Sequence, residues 1–368
     1  MFAGALLFGL LLLPQPPPLV AQRAAADLLA FQAEKRIPGL SVAVGRDDRV
    51  FWSEAFGVTD LAAKTPVTRD SVFPLGSTSK VLTSLALGVL LDEGKIALDA
   101  PVQRWVPNFP VKPEGVITPR LLATHQAGLR DYDHAAGEYD NLRDFASVAA
   151  AVDVFRDDPL VFAPGTRHGY SAYHFVLLSA ALEGAAGQDF LTLVRQRVTA
   201  PLGLEATGPN RRATPHPKLV TGYQPGMFGL PTPAPRLDVS NKWAAGGFVS
   251  TPTEMVRLGL AVLEEKVVSP RVLAELTTVQ KLADGRDSGS IYALGWRAGT
   301  WKDSRGVEHR VFHHGGVANG GLSFFVLFPD ARLAVSLLGN FRFEPFGDFA
   351  AAAYRVAEHF LPPTPARP

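Results

Sequence analysis

The stretch Gly76-Ser77-Thr78-Ser79-Lys80, which runs straight into Val81-Leu82-Thr83-Ser84-Leu85-Ala86-Leu87-Gly88-Val89-Leu90-Leu91, is the most informative in the chain. Apolar residues recur at helical intervals from Val81 to Leu91, and the run stops at Gly94, a residue suited to the left-handed position that ends a helix. Ser77 and Lys80 are three apart at the start of that helix, so their side chains lie on one side of it. A serine hydroxyl needs a base to become a useful nucleophile. A lysine is such a base at neutral pH only where burial or nearby positive charge lowers its pKa. The helix N-terminus supplies a positive end and an amide pointed at developing negative charge. The plainer reading of the same residues is a helix cap at Ser77 and a solvated lysine at position 80.

Two further clusters carry chemistry. Tyr170-Ser171-Ala172 follows the turn Pro164-Gly165 and precedes an apolar helical run from Tyr173 to Ala185. A phenol beside an ammonium becomes a plausible general base, because the cation favours the phenolate. The ordinary alternative is a half-buried aromatic with its hydroxyl bonded to backbone. His313-His314-Gly315-Gly316 ends one expected strand, and Asn319-Gly320-Gly321 precedes the next. Glycines there let a substrate approach the backbone, and the Gly316 amide is placed to complete an oxyanion hole with that of Ser77. His313, His314 and Gly315, with Tyr223 from a Pro/Gly-rich loop, are the expected substrate-binding residues. Adjacent histidines on a strand point to opposite faces and make a poor chelating pair, so the bland reading is a hairpin with one inward and one outward histidine. His125 reads as a turn brace, Phe228 as a possible pocket residue, and Lys242 and Trp243 as packing beside the sheet.

Working outward, Ala24 to Lys35 has helical spacing, and Gly39 to Val44 and Val50 to Trp52 read as strands about a turn at Arg46-Asp47-Asp48. Helices are expected at Pro119 to Thr124, Asp189 to Arg197 and Thr253 to Glu264, the last with Ser250, Thr251 and Pro252 as start signals. Strands follow at Tyr292 to Trp301, His309 to His313, Leu322 to Phe328 and Leu333 to Leu338, and Phe349 to Phe360 closes as a helix. Strands at both ends around a helical middle predict an α+β fold: one antiparallel sheet flanked by N- and C-terminal helices, with an inserted helical subdomain. Gly137 to Asp158 and Ala206 to Val239 read as long loops of the kind that form binding loops or covers.

Composition narrows the function. The chain has 368 residues, with 36 Lys and Arg against 35 Asp and Glu, a formal charge of +1. No clustered basic face is available to neutralise phosphates, which argues against nucleic acid as a partner. With 47% apolar and 19% charged residues the chain can bury a large core. The absence of cysteine removes disulfides, thiolate metal sites and a cysteine nucleophile. No His-Glu-x-x-His, acidic metal loop, Gly-x-Ser-x-Gly elbow or phosphate-cradling loop occurs, so neither a metal nor a cofactor is expected. Phe2 to Leu13 is an apolar run cut off by Pro14, shorter than the ~20 residues a membrane span needs. Residues 1–22 therefore read as a signal peptide or N-terminal anchor, with Leu19-Val20-Ala21 as a cleavage site, and residues 23–368 as one hydrolase domain. A periplasmic or secreted location follows from that reading, with no stable span left after removal of the leader.

A Ser-x-x-Lys at a helix start, a Tyr-Ser dipeptide well downstream and a His-x-Gly in the late strands together resemble the serine beta-lactamase and penicillin-binding-protein superfamily, in its class C-like branch. Leu121-Leu122-Ala123-Thr124-His125-Gln126-Ala127-Gly128-Leu129 is similar to its "LLTHTSGL" segment, and Ala245-Gly246-Gly247-Phe248-Val249-Ser250-Thr251 to its "AGGLxST" segment. Ile37 to Val44 looks like its opening strand. Trp52 to Gly57, Trp105 to Pro110 and Lys242 to Phe248 look like the branch found in animal mitochondria, whose members are described as peptidases and, in one case, as filament-forming.

The resemblance implies a beta-lactamase/transpeptidase-like fold and a covalent acyl-enzyme. Ser77 attacks, Lys80 with Tyr170 moves the proton, and the amides of Ser77 and Gly316 hold the oxyanion. Two departures stand out: Ala172 replaces the asparagine of the family's Tyr-x-Asn, and His313-His314-Gly315 stands where lactam-recognising members carry Lys-Thr-Gly. An imidazole is mostly neutral at pH 7, so a lactam carboxylate is held less firmly. Both changes favour hydrolysis of a small ester or peptide-like amide. The alternatives are a beta-lactamase or D-alanyl-D-alanine carboxypeptidase, and a catalytically idle binding or filament-forming module of the same fold.

Overall fold

A computed structural model describes residues 18–362. Seven strands form one antiparallel sheet: β1 (Gly39–Arg46), β2 (Arg49–Asp60), β3 (Thr65–Pro66), β4 (Arg297–Lys302), β5 (Glu308–Ala318), β6 (Gly321–Phe328) and β7 (Leu333–Gly339). Their spatial order is β3-β2-β1-β7-β6-β5-β4. The two ends of the chain meet where β1 pairs with β7, in a register that sets Leu40 opposite Gly339 and Arg46 opposite Leu333. The chain leaves the sheet after β3 and returns at β4, so residues 67–296 form the insertion that the sequence predicts.

The principal helices are α1 (Pro18–Lys35), α2 (Ser79–Asp92), α3 (Pro119–Ala123), α4 (Ala172–Ala186), α5 (Pro252–Leu263) and α6 (Phe346–Phe360). On one face of the sheet, α1 buries Ala24, Leu28 and Phe31 and α6 buries Phe349, Ala352, Ala353 and Val356, both at helical spacing, against Val42, Val44, Val326 and Val335. On the other face α5 packs on β1 and β7, and α2 and α4 build the second core. Every residue of β6 and β7 is buried, because helices cover both faces. Such strands read as continuous apolar runs. In α2, Ser79 through Gly88 are all buried, and the polar Ser79, Lys80, Thr83 and Ser84 among them each have a hydrogen-bond partner. Thr251 caps α5 by accepting from the Glu254 N–H at 3.1 Å, with Pro252 in the first turn.

Some boundaries differ from expectation. The strand predicted over Tyr292–Trp301 shortens to β4, because Gly295 turns with φ of 84° and donates its N–H to Ala123 O. Helices Val148–Val152 and Pro270–Thr277, capped by Ser147 and Ser269, occupy stretches without a predicted element. The Ala206–Val239 loop contains a short hairpin of Tyr223–Pro225 with Pro231–Pro233. Of the expected leader or anchor, residues 1–17 lie outside the described residues, and the remainder is the start of α1. Among the described residues no helix is long and apolar enough to cross a membrane.

Candidate active site

Ser77 sits in a 3-10 turn, Gly76–Thr78, that feeds directly into α2. Gly76 takes φ of 49°, and a Cβ built there falls 2.6 Å from the Val317 carbonyl oxygen, so this position needs a glycine both for its backbone and for the close approach of β5. One turn on, Lys80 is 1% exposed, with Nζ 3.2 Å from Ser77 Oγ and donating to Ala245 O at 2.6 Å. The Tyr170 hydroxyl donates to Ser77 Oγ at 2.9 Å, and Lys80 Nζ lies 5.0 Å from the centre of the Tyr170 ring. The structure thus brings Ser77, Lys80 and Tyr170 together around one hydroxyl.

The Ala244–Phe248 segment is held on α2 by three side chains of its first two turns. Lys80 binds Ala245 O, Thr83 Oγ1 donates to Ala244 O at 2.8 Å, and Ser79 Oγ accepts from the Phe248 N–H at 3.1 Å. Gly247 keeps it thin, since a Cβ there would fall 2.8 Å from the Trp243 Cα. Ser171 caps α4 by accepting from the Tyr173 N–H and donates to Arg130 O at 2.6 Å. Ala172 presents only a methyl to the cleft, while its N–H donates to Asp131 Oδ1 at 2.9 Å.

Around Ser77 opens a cleft of about 810 Å³. Five expected contributors are placed elsewhere. His313 packs with Phe324 and Tyr354 on the α6 side of the sheet. His314 points to the other face but is 1% exposed, with Nε2 2.8 Å from the Tyr292 hydroxyl and Nδ1 2.7 Å from Gly315 O. A Cβ at Gly315 would strike Phe346, so that residue faces α6. Tyr223 is buried, its hydroxyl accepting from the Leu61 N–H at 2.7 Å. None of these four lines the cleft. The fifth, Gly316, is pressed against Leu75 O and Ser323 Oγ, and the wall is formed instead by Val317, Ala318 and Asn319. In an antiparallel strand the N–H and C=O of one residue point to the same edge. The Val317 carbonyl is turned to Gly76, so its N–H faces that edge too, beyond His313, the last residue of β5 paired with β4. Phe228 is exposed on the hairpin tip.

Lys242, expected as packing beside the sheet, stands on the cleft wall. Lys242 is 6% exposed, lies 4.0 Å from the Tyr139 ring centre and donates to Tyr139 O at 3.1 Å. Burial lowers its pKa to about 8, against the opposing pull of Asp140, Asp131 and Asp238. Arg236 and Arg342 also line the cleft, and neither pairs with a carboxylate among the described residues. Beneath Tyr170 the imidazoles are held neutral: burial first, then His174 and Lys80, keeps His125 well below the usual histidine range, and burial brings His174 to about 3. Burial likewise brings His313 to about 4 and His314 well below its ordinary value. Among the described residues no three His, Asp or Glu side chains are gathered to hold a metal.

The family model described as Beta-lactamase matches residues 22–359. The human mitochondrial serine beta-lactamase-like protein LACTB is 26% identical over 391 aligned positions, covering 83% of this chain and 71% of that protein. Esterase EstB of Burkholderia gladioli is 34% identical over 202 positions, covering 50% of this chain and 51% of EstB. Among solved structures, the octameric penicillin-binding protein homologue from Pyrococcus abyssi superposes with a TM-score of 0.78 at 22% identity, covering 92% of this chain and 77% of that one, a likeness of fold.

Proposed function

The chain belongs to the beta-lactamase family, and from that premise we propose that it is a serine hydrolase that cleaves small esters or peptide-like amides through a covalent acyl-enzyme. The observation that carries this reading is the placement of Ser77 Oγ, 2.9 Å from the Tyr170 hydroxyl and 3.2 Å from Lys80 Nζ. Ser77 Oγ bonds to the substrate carbonyl carbon as its proton passes to the Tyr170–Lys80 pair. The carbonyl oxygen becomes an oxyanion between the main-chain N–H groups of Ser77 and Val317. The tetrahedral intermediate then expels the alkoxide or amine, which takes the proton, and water enters by the same route to release the acid. Preorganised donors of this kind are worth ~10²–10³ each in turnover.

An ester or peptide-like amide suits the surroundings of Ser77 better than a lactam. His313, which stands for the lactam-binding lysine, is neutral and packed under α6, the adjacent His314 is neutral, buried and committed to Tyr292, and the position of the family's asparagine is the methyl of Ala172. EstB, an esterase by name, supports the same substrate class. The test is a panel of short-chain p-nitrophenyl esters, D-alanyl peptides and a chromogenic cephalosporin on wild type and Ser77→Ala. Ester turnover that exceeds lactam turnover and vanishes in Ser77→Ala supports the reading. Turnover that survives Ser77→Ala refutes it, and a folded wild type that acts on nothing supports the idle-module alternative.

A further inference from the structure

One residue outside the reacting trio touches the whole tripeptide that presents the phenol. The His125 carbonyl accepts from the Gly169 N–H at 2.8 Å, and His125 Nδ1 accepts from the Ser171 N–H at 3.3 Å. Between these two ties, the His125 ring lies on the Tyr170 ring with centroids 4.2 Å apart and planes inclined by 39°. The neighbouring strands of loop continue the zip: Gly165 N–H donates to Gln126 O and Val161 N–H to Gly128 O, both at 2.8 Å.

His125 is built to do this at some conformational cost. It is 0% exposed and takes φ of 58°, the left-handed region that a non-glycine residue seldom occupies. That backbone is what turns both its carbonyl and its ring toward residues 169–171. The hydrogen bonds around it assign its tautomer. The Leu129 N–H donates to His174 Nε2 at 3.3 Å, which leaves the His174 proton on Nδ1, 3.3 Å from His125 Nδ1. His125 Nδ1 is therefore an acceptor, and its proton resides on Nε2. That N–H finds no hydrogen-bond partner among the described residues, and the His125 ring packs against those of Tyr292 and Phe175. A turn brace needs the backbone bonds alone; an imidazole with one nitrogen on the Ser171 amide and its face on the phenol does more.

We propose that His125 is a positioning residue for the proposed hydrolysis, acting through Tyr170 by fixing the phenol's height and tilt over Ser77. The inference rests on the hydrolase reading. A phenol released from this stack can tilt out of line with Ser77 Oγ, and a misplacement of about 1 Å can cost ~10²-fold in rate. Substrate binding along the cleft is unaffected, because His125 does not line it.

The test is a double-mutant cycle on p-nitrophenyl ester turnover with His125→Asn and Tyr170→Phe. Asparagine tolerates the left-handed backbone and keeps an acceptor for the Ser171 N–H, but has no ring to stack. The expected result is a loss in kcat of about 10–100-fold in His125→Asn with KM within about twofold. In the Tyr170→Phe background the same change should cost less than about twofold, since a residue that acts through the phenol has nothing left to act on. Retention of full kcat in His125→Asn, or an equal further loss in the Tyr170→Phe background, overturns the proposal. Full activity in Tyr170→Phe overturns the assignment of the base, and His125 with it, while Ser77-dependent turnover still stands as a separate result. Circular dichroism and Tm are read on each variant. If His125→Asn does not fold, the cycle is run with His125→Gln, to which the same outcomes apply.

Discussion

Lys80 Nζ lies 2.6 Å from the carbonyl oxygen of Ala245 and 3.2 Å from Ser77 Oγ, so one buried nitrogen ties the Ala-Ala-Gly-Gly segment to the nucleophile. The amine is thereby fixed in space before substrate arrives, with no carboxylate beside it among the described residues. Lys80→Met should abolish ester turnover, by at least ~10³-fold if the trio acts as a unit. Lys80→Arg should fail to restore it, because a guanidinium is planar, bulkier and never gives up its proton. Steady-state rates against Tm for both variants check this.

In the proposed mechanism the second oxyanion donor is Val317. Its N–H faces the open edge of β5 and serves no ladder hydrogen bond to β4, so proline there removes a donor without breaking the sheet. Val317→Pro should lower kcat ~10²–10³-fold, the usual loss for one such donor, with Tm nearly unchanged. Unaltered kcat in a folded Val317→Pro variant places the donor elsewhere.

The trio Ser77, Lys80 and Tyr170 was readable because part of it is local: a three-residue spacing at a helix start fixes two of the partners, and the family pattern supplies the third. The opposite facing of His313 and His314 also follows from strand periodicity alone. What periodicity leaves open is which residues the covering helices bury. With α6 on one face and Tyr292 on the other, both histidines are committed to packing, and the cleft begins one residue later than the glycine signal suggests. Arg236 reaches the cleft by the path of a long loop, Arg342 from the short connection between β7 and α6, and Lys242 from the 3-10 turn Ser240–Lys242, placements that no local pattern encodes.

The buried imidazoles make the fold sensitive to acid. His125, His174, His313 and His314 all have folded-state pKa values below the ordinary 6.5, with His313 at about 4 and His174 at about 3. Unfolding lets each bind a proton the native state resists. Stability is therefore full above pH 6.5 and declines as pH falls from there toward 4 and 3. One such histidine contributes up to ~2 kcal/mol of loss at pH 5, from about 1.36 kcal/mol per pH unit. Urea unfolding at pH 7.5 and pH 5 should show the drop, and His313→Phe, away from the cleft, should reduce it.

Lys242 places a titrating charge on the cleft wall near pH 8. Its ammonium attracts an anionic acyl group and is lost as pH rises, so KM for a p-nitrophenyl hemisuccinate should increase between pH 7 and pH 9. KM for the neutral butyrate ester should stay level across the interval. In Lys242→Met the hemisuccinate profile should flatten. A steep rise that persists in that variant assigns the titration to another group.

The most direct check of the whole scheme is rapid acid quenching of an ester reaction followed by mass spectrometry of the digested protein. The expected result is one adduct, of the acyl mass, on the peptide bearing Ser77, formed within a turnover and absent from Ser77→Ala. Turnover with no acylated peptide at any time, or an adduct on another residue that forms and decays at the catalytic rate, contradicts it.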